Sequence, residues 1–229
     1  MKKIVRIYLN SYRGLTAPAW MLALVMFINR VGAMVVPFLG IYMTESLHFS
    51  LRDTGIVLSF FGFGSLTGSW LGGKLTDSKG HFKVQLVSLF LTVPLFFILP
   101  ELRTAVSLSI GVFVLSLIAE TFRPANSVSI AYYAKPQNLT RALSLNRMAL
   151  NLGFSIGPAV GGLLAALSYN YLFYGNGVTA MAAGLIFYFY FRRREGHKVE
   201  KGKSSALVEE TNQPITKKLP TRSPYRDGP

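Results

Sequence analysis

The sequence predicts an all-α membrane protein, built as a bundle of six transmembrane helices. Of its 229 residues, 51% are apolar and only 15% are charged, whereas a typical soluble domain has about 25% charged residues. The apolar residues fall into six runs, each close to the roughly 20 residues that cross about 30 Å of hydrocarbon. In lipid such runs form helices, because the backbone must satisfy its own hydrogen bonds.

The six predicted helices follow one another with short connections. They cover residues of about 17–42, 54–71, 84–99, 105–133, 142–167 and 171–191. The second, third and sixth have almost no polar face, unlike the one-sided pattern of helices in soluble proteins. The basic start resembles a signal peptide, but no clear small-residue cleavage site follows it. The apolar run continues past Arg30, so we expect a retained first helix.

Lysine and arginine alternate between the two sides of the predicted bundle. Four lie before helix one, three between helices two and three, three between helix four and the start of helix five, and ten after helix six. The other connections carry only Arg52 and Arg103. Cytoplasmic loops carry the Lys/Arg excess. We therefore expect a multi-pass protein of the bacterial inner membrane with both termini in the cytoplasm. This pattern accounts for the net charge of +14 without a nucleic-acid partner, whose recognition modules are missing.

The last segment, residues 195–229, differs in composition from the rest of the chain. It is rich in Lys, Glu, Ser, Thr and Pro and has no apolar periodicity. Such segments bury too little apolar surface to fold by themselves. We predict a disordered cytoplasmic tail after a transmembrane domain of residues 1–194.

Several kinds of chemistry are excluded or disfavoured. The chain has no cysteine, which excludes disulfides and thiolate metal sites. No His, Asp or Glu cluster has metal-ligand spacing, and there is no P-loop, so we expect neither a metal nor a cofactor. Residues 153–157 match the Gly-x-Ser-x-Gly elbow of hydrolases, but that elbow requires a strand–turn–helix context. Here it lies inside a predicted membrane helix, and we do not expect an enzyme.

Two of the helices carry glycines at four-residue spacing. Gly64, Gly68 and Gly72 share one face of the second helix, and three more glycines, beginning at Gly153, share one face of the fifth. Such faces let another helix approach closely. Pro158 removes a backbone donor and can kink the fifth helix. We interpret both faces as packing surfaces, and the fifth helix as one able to bend in a moving bundle.

These segments resemble the signatures of the major facilitator superfamily of transporters. The junction of helices two and three is similar to Gly-x-x-x-Asp-Arg-x-Gly-Arg-Arg, matching at Gly73, Asp77 and Gly80, while Lys79 and Lys83 replace its basic residues in part. Helix five matches every fixed position of the family's antiporter-associated Gly-x-x-x-Gly-Pro-x-x-Gly-Gly, namely Gly153, Gly157, Pro158, Gly161 and Gly162. In helix four, Arg123-Pro124-Ala125-Asn126-Ser127 resembles Arg-x-x-Gln-Gly.

The resemblance implies the N-terminal six-helix half of such a transporter, one half of the major facilitator fold. It implies secondary transport by alternating access, and the helix-five pattern implies proton-coupled export of an amphipathic or drug-like small molecule. Proton-coupled import of a sugar, peptide or organic acid is the alternative. The resemblance also makes Asp77 a gating residue that latches the cytoplasmic side against the other half.

Apart from Arg147 at the start of helix five, three charged residues lie inside the predicted helices, each at a cost of about 2.5–3.5 kcal/mol on insertion scales. Arg30 is near the middle of helix one, and Glu120 and Arg123 are three residues apart in helix four, so one helix face holds both. They form either a neutralising pair or a proton-coupling site in which Glu120 exchanges a proton beside an arginine. Asn126 and Asn151 are further cavity candidates.

A complete member of the superfamily has twelve helices in two halves, with the substrate between them. Here six helices precede a segment that resembles the family's central loop, so we expect a truncated product or a fragment. Three hypotheses follow. The chain is the N-terminal half of an exporter and inactive alone; or two copies, or one copy with a separate C-terminal half, assemble a carrier; or it is a non-transporting membrane interaction protein.

Overall fold

The computed structural model describes the backbone of residues 14–211 and the side chains of residues 14–194. The described part is helical and contains no strand. It has α-helices at Ala17–Gly32, Val35–Ile41, Leu51–Lys79, His81–Ile98, Ala105–Glu120, Phe122–Tyr133, Leu139–Leu167 and Asn170–Thr211, a π-helical turn at Tyr42–Ser46, and 3-10 turns at Leu99–Glu101 and Pro136–Asn138. The chain divides into two compact units, Met1–Arg192 and Arg193–Pro229.

Six stretches of the described chain are long and apolar enough to cross a membrane. We call them spans 1 to 6, and they are Ala17–Ser46, Leu51–Lys79, His81–Glu101, Ala105–Tyr133, Pro136–Leu167 and Asn170–Arg194. The predicted class, an all-α bundle of six membrane helices, is confirmed.

The ends of several helices lie beyond the apolar runs that predicted them. Span 2 continues to Lys79, about two turns past the predicted end near residue 71. Asp77 therefore lies in a helix and not in a loop, which corrects the sequence interpretation. Hydropathy marks only the part of a helix that crosses hydrocarbon, while polar last turns extend beyond it. Gly80 alone separates this helix from the next, at a φ of 86° that glycine adopts without strain.

The last helix also continues past the predicted span, because it runs from Asn170 to Thr211. It therefore includes the first part of the segment predicted as a tail. Residues 212–229 lie outside the described residues. The disorder and the cytoplasmic location of the tail stay predictions.

Contacts between helix ends show that the spans alternate in direction. At one end, the Thr16 hydroxyl donates to the Tyr133 carbonyl oxygen at 3.0 Å, and the Phe82 and Phe187 rings stack at 5.3 Å. At the opposite end, the Tyr169 hydroxyl donates to the Glu45 carboxylate. We call the first the basic end, because its connections and helix ends carry Lys74, Lys79, Lys83, Lys135, Arg141 and Arg192.

The buried interior of the described part contains two large apolar clusters with a polar layer between them, and a small third cluster of Ala23, Leu145 and Ala149. The cluster near the basic end includes Met26 and Phe122, and the other includes Met34 and Leu115. Spans 1, 3, 4 and 6 each place buried polar side chains between the clusters: Arg30, Ser88, Thr92, Ser116, Glu120 and Asn176. The polar layer runs across the middle of the bundle.

The two glycine faces pack against the two helices that carry charges. A Cβ at Gly68 of span 2 would clash with the Leu117 backbone of span 4, and one at Gly72 would lie 2.7 Å from the Thr121 Cα. On span 5, a Cβ at Gly153 would lie 3.0 Å from the carbonyl carbon of Arg30 in span 1. The predicted packing role of both faces is confirmed.

Candidate functional site

Arg30, Glu120 and Arg123 meet between spans 1 and 4. Nη1 of Arg30 lies 3.6 Å from Oε1 of Glu120, and Nη1 of Arg123 lies 3.4 Å from Oε2 of the same carboxylate. The Arg30 guanidinium also stacks over the Phe154 ring of span 5, with 5.3 Å between its Cζ and the ring centroid, a favourable cation–π distance. The structure therefore brings all three predicted charges to one point.

The three charged groups differ in exposure. The side chains of Arg30 and Glu120 are 8% and 12% exposed, whereas that of Arg123 is 53% exposed. Nε of Arg30 is buried and has no hydrogen-bond partner in the described part of the chain. With Glu120 ionised, two guanidiniums share one carboxylate. The site therefore has an excess positive charge and an unsatisfied donor, which together suit an anionic or hydrogen-bond-accepting group.

Both helices that carry the charges are interrupted beside them. In span 1 the interruption is at Ala33 and Met34, shortly after Arg30; in span 4 it is at Thr121, directly after Glu120. Discontinuous membrane helices frame ion and substrate sites in secondary transporters. Sequence reasoning missed both interruptions. Pro124, in the first turn of the second helix of span 4, is a signal that could have indicated one of them, because proline favours a helix start.

A cavity of about 70 Å³ adjoins the charged residues in the bundle. Its polar lining residues are Asn29, Arg30, Ser88, Thr92, Ser116, Glu120 and Asn176. The volume has room for a few waters, but it is far below the roughly 300–1,000 Å³ of pockets that enclose small organic ligands. The cavity suits water beside Glu120 and does not enclose a substrate.

The two asparagines predicted as cavity residues lie in different surroundings. Asn126 is fully buried, and its amide nitrogen donates to Oδ1 of Asn146 at 3.0 Å, which links spans 4 and 5. Asn151 is exposed on span 5, about one turn before Phe154. The contacts of Asn126 are those of an interhelical hydrogen bond, and the role of Asn151 stays a prediction.

The predicted gating residues lie at the junction of spans 2 and 3. A Cβ at Gly73 or Gly80 would meet open space, and Asp77 and Lys83 are exposed. The Asp77 carboxylate makes no hydrogen bond or ion pair with the described residues. It is free to contact another part of the protein, but its gating role stays a prediction.

His81, which stands where the family pattern has arginine, is buried behind this junction. Its Nδ1 lies 2.8 Å from the Ser129 hydroxyl, and the Gln85 amide donates to that same hydroxyl. This hydrogen-bond network ties span 3 to span 4. Sequence reasoning missed it, although Gln85 and Ser129 stand out as polar residues within apolar runs.

The antiporter-like segment of span 5 forms the surface on which span 1 rests. Gly153 and Gly157 face the backbone of Arg30 and Val31, and Gly161 faces Met34. Gly162 is the loosest, with 3.7 Å from its Cβ position to the Phe38 ring. Pro158 lies within the continuous helix Leu139–Leu167. The segment therefore sets the position of the helix that carries Arg30.

Comparison with known proteins identifies the family. A sequence profile described as the Major Facilitator Superfamily matches residues 21–226. This chain belongs to the Major Facilitator Superfamily. The resemblance carried by the glycine and arginine motifs is thus confirmed, and the protein is an integral, multi-pass membrane protein of a transporter family.

Three relatives place the chain within the superfamily. The uncharacterized MFS-type transporter YttB of Bacillus subtilis is 30% identical over 73% of this chain and 42% of its own length. The multi-drug resistance efflux pump PmrA of Streptococcus pneumoniae is 24% identical over 61% of this chain and 36% of its own. The glucose-6-phosphate exchanger SLC37A2 of Xenopus tropicalis is 24% identical over 65% and 32%. The chain thus spans less than half the length of these relatives.

Proposed function

We propose that this superfamily member forms one lobe of a proton-coupled exporter of small molecules that works by alternating access. The observation that carries the proposal is the half-exposed guanidinium of Arg123. Span 4 ends at Tyr133, about 15 Å beyond Arg123 along the helix, so Arg123 lies near mid-membrane. Charged side chains at that depth face a bundle interior or a water-filled cavity and not lipid. The Arg123 face of span 4 therefore borders a translocation cavity.

A second six-helix lobe completes that cavity in our proposal. The 70 Å³ cavity of this bundle is too small for an organic substrate, and superfamily transporters bind substrates between two lobes. The second lobe comes from a longer chain, a second copy or a separate polypeptide. The Lys/Arg pattern supports an orientation with the basic end in the cytoplasm, where Asp77 would latch the two lobes together. The bacterial relatives YttB and PmrA support a bacterial inner membrane.

Glu120 is the proton-coupling carboxylate of the proposed mechanism. When ionised it holds Arg30 of span 1 and Arg123 of its own span at 3.6 and 3.4 Å. A proton on Glu120 removes the negative charge that both guanidiniums contact, so the link between spans 1 and 4 weakens. Because both spans are interrupted beside these residues, each has a place to bend. Proton binding is in this way converted into movement of one helix against another.

Dye transport in proteoliposomes tests this mechanism. The protein is reconstituted alone and with a second six-helix lobe, and uptake of a fluorescent cationic dye is driven by an imposed proton gradient. Glu120→Gln is expected to abolish proton-driven accumulation, while Glu120→Asp keeps part of it and Glu101→Gln, at an exposed carboxylate, keeps all of it. Dye counterflow, which needs no net proton movement, checks that the Gln variant still alternates. Full proton-driven accumulation by Glu120→Gln would disprove the mechanism.

Exchange or import of an organic anion is the second candidate function. The observation that favours it is the excess positive charge of two arginines on one carboxylate, which suits a phosphorylated sugar or an organic acid. The relative SLC37A2 is named as a glucose-6-phosphate exchanger. Counterflow of a radiolabelled organic phosphate in the same proteoliposomes separates the two candidates. Phosphate counterflow without dye transport, lost in Arg30→Gln, would favour the anion carrier.

A further inference from the structure

An apolar groove opens on the outer surface of the bundle towards its basic end. Spans 2, 3 and 4 form it, and its volume of about 360 Å³ is five times that of the internal cavity. Its walls are apolar and include Leu71, Leu75, Val87, Leu91, Leu117 and Ile118. Val87 and Leu91 are 58% and 47% exposed, so the groove is open to whatever surrounds the helices.

Two lysines border this groove. Lys79 is the last residue of span 2 and Lys83 lies in the first turn of span 3, and both contribute to the groove lining. Neither forms an ion pair within the described part of the chain. Asp77 is two residues from Lys79, and residues at that spacing on a helix do not face each other. The lysines therefore add a positive charge that their neighbours leave uncompensated.

The depth of the lysines matches that of lipid headgroups. His81, which lies between Lys79 and Lys83, packs its ring 4.7 Å and 6.0 Å from the rings of Tyr132 and Tyr133, the last two residues of span 4. Both lysines therefore lie where the membrane-crossing segments end, at the level of the headgroups. The apolar walls, by contrast, extend back along spans 3 and 4 towards the hydrocarbon.

We propose that this groove binds one anionic phospholipid, with its phosphate held by Lys79 and Lys83 and one acyl chain against the apolar wall. Basic pockets between membrane helices on the cytoplasmic side bind acidic headgroups. The apolar wall can contact an acyl chain, which a phospholipid has and a free phosphate ion lacks. A helix of a partner protein in this groove would have to bury the charges of Lys79 and Lys83 against its own end. The lipid satisfies both the charge and the apolar surface, and the site does not depend on the proposed transport mechanism.

Native mass spectrometry of the purified full chain tests the proposal. The protein in detergent is offered an equimolar mixture of phosphatidylglycerol and phosphatidylcholine with identical acyl chains. We expect a preference of about tenfold for phosphatidylglycerol in the first bound lipid, since each surface lysine attracts anionic lipid. Lys79→Gln with Lys83→Gln should bring the two lipids to near-equal retention. Lys135→Gln with Arg141→Gln, the same charge loss at another exposed site of the basic end, should keep the preference.

Two further arms distinguish a phospholipid from a free phosphate ion in the groove. Val87→Trp fills the groove and leaves both lysines in place, so it should lower phosphatidylglycerol retention severalfold if an acyl chain occupies the groove. Millimolar inorganic phosphate should not displace the lipid. Equal retention of both lipids by the wild type, an unchanged preference in the Lys79/Lys83 double variant, or displacement by inorganic phosphate would each overturn the proposal. If the double variant fails to fold, the wild-type preference and the Val87→Trp result decide.

Discussion

The span 2–span 4 pair and the span 5–span 1 pair use the same device, a glycine face against a neighbouring helix, but with different closeness. The Cβ positions of Gly68 and Gly72 lie less than 3.0 Å from backbone atoms of Leu117 and Thr121 in span 4. On span 5, the Cβ positions of Gly153 and Gly157 come no closer than 3.0 Å to backbone atoms of Arg30 and Val31 in span 1, although that of Gly153 lies 2.5 Å from the Arg30 Cβ. The two faces therefore differ in how closely they approach the neighbouring backbone. Only the span 5 face contains a proline, Pro158.

This difference separates a tighter pair, which carries Glu120, from a looser pair, which carries Arg30. The ion pair between Arg30 and Glu120 at 3.6 Å therefore connects two pairs of spans, and within each pair the helices pack through a glycine face. The hydrogen bond from Asn126 of span 4 to Asn146 of span 5, at 3.0 Å, is a second link between the two pairs. We expect the glycine contacts to hold each pair together and the Arg30–Glu120 contact to depend on how the two pairs are positioned.

Removal of the connecting carboxylate should have the largest effect on stability. Glu120→Gln leaves the buried Arg30 without an anionic partner, and breaking a buried pair in this way costs about 3–5 kcal/mol. Arg123→Gln removes a half-exposed partner and should cost less than about 1 kcal/mol. Thermal unfolding of the detergent-solubilised variants, followed by size-exclusion chromatography, measures both. Equal losses in the two variants would contradict the distinction between a buried and an exposed partner.

The tighter glycine pair should be the next most sensitive. Gly68→Ala places a methyl group against the Leu117 backbone, so span 4 must shift, at an overpacking cost of about 2–3 kcal/mol. The same unfolding assay measures the loss.

Gly62 of the same helix is the matched control for this substitution. A Cβ there meets nothing within 4 Å, so Gly62→Ala should be neutral or stabilise by up to about 1 kcal/mol through helix propensity. If both alanines lowered the unfolding temperature equally, close helix contact would not be the cause of the Gly68 effect.

The looser pair should tolerate the corresponding substitution better. Gly157→Ala brings a methyl group 3.0 Å from the Val31 carbonyl oxygen, which a shift of a few tenths of an ångström relieves, so we expect a loss of about 1 kcal/mol. Gly68→Ala and Gly157→Ala are to be measured in the same unfolding assay, so that their losses of stability can be compared directly. A larger loss for Gly157→Ala would reverse the assignment of tighter and looser pairs.

The sequence predicted the parts of this arrangement that depend on local spacing. Four-residue glycine spacing identified both packing faces, and the three-residue separation of Glu120 and Arg123 placed them on one helix face. The pairing of Arg30 with Glu120 was not predictable in the same way, because ninety residues of chain separate them and only the packing of spans 1 and 4 brings them together. From the sequence, Arg30 is one of two arginines able to act on Glu120.

Features that depend on where a helix stops are misplaced or missed by sequence reasoning. The apolar run that ends near residue 71 predicts a loop at Asp77, yet the helix continues in polar residues to Lys79. The interruptions at Ala33–Met34 and at Thr121 lie within apolar runs, where hydropathy has no means to distinguish one helix from two. Both errors arise because hydropathy indicates whether a segment lies in lipid or in water. It does not indicate where the backbone hydrogen bonds of a helix are interrupted or end.

The smallest expected effect tests the end of the bundle opposite the basic end, where a hydrogen bond joins span 6 to span 1 of the looser pair. The Tyr169 hydroxyl donates to the Glu45 carboxylate at 2.5 Å, which ties the start of span 6 to the end of span 1. This bond, followed by burial, raises the pKa of Tyr169 above its ordinary value. A raised pKa means that the bond contributes fully below about pH 10 and is lost as the pH rises through the higher folded-state pKa.

Tyr169→Phe should therefore lower the unfolding temperature slightly at pH 7, and the difference from wild type should shrink above about pH 10 as the wild-type tyrosine ionises. Tyr171→Phe, an exposed tyrosine two residues away, is the matched control and should show no such difference. A difference that stays constant up to alkaline pH would show that the Tyr169 ring, which packs 5.9 Å from the Tyr42 ring, stabilises this end by apolar contact. In that case the hydrogen bond to Glu45 would not contribute to the contact between spans 1 and 6 at this end.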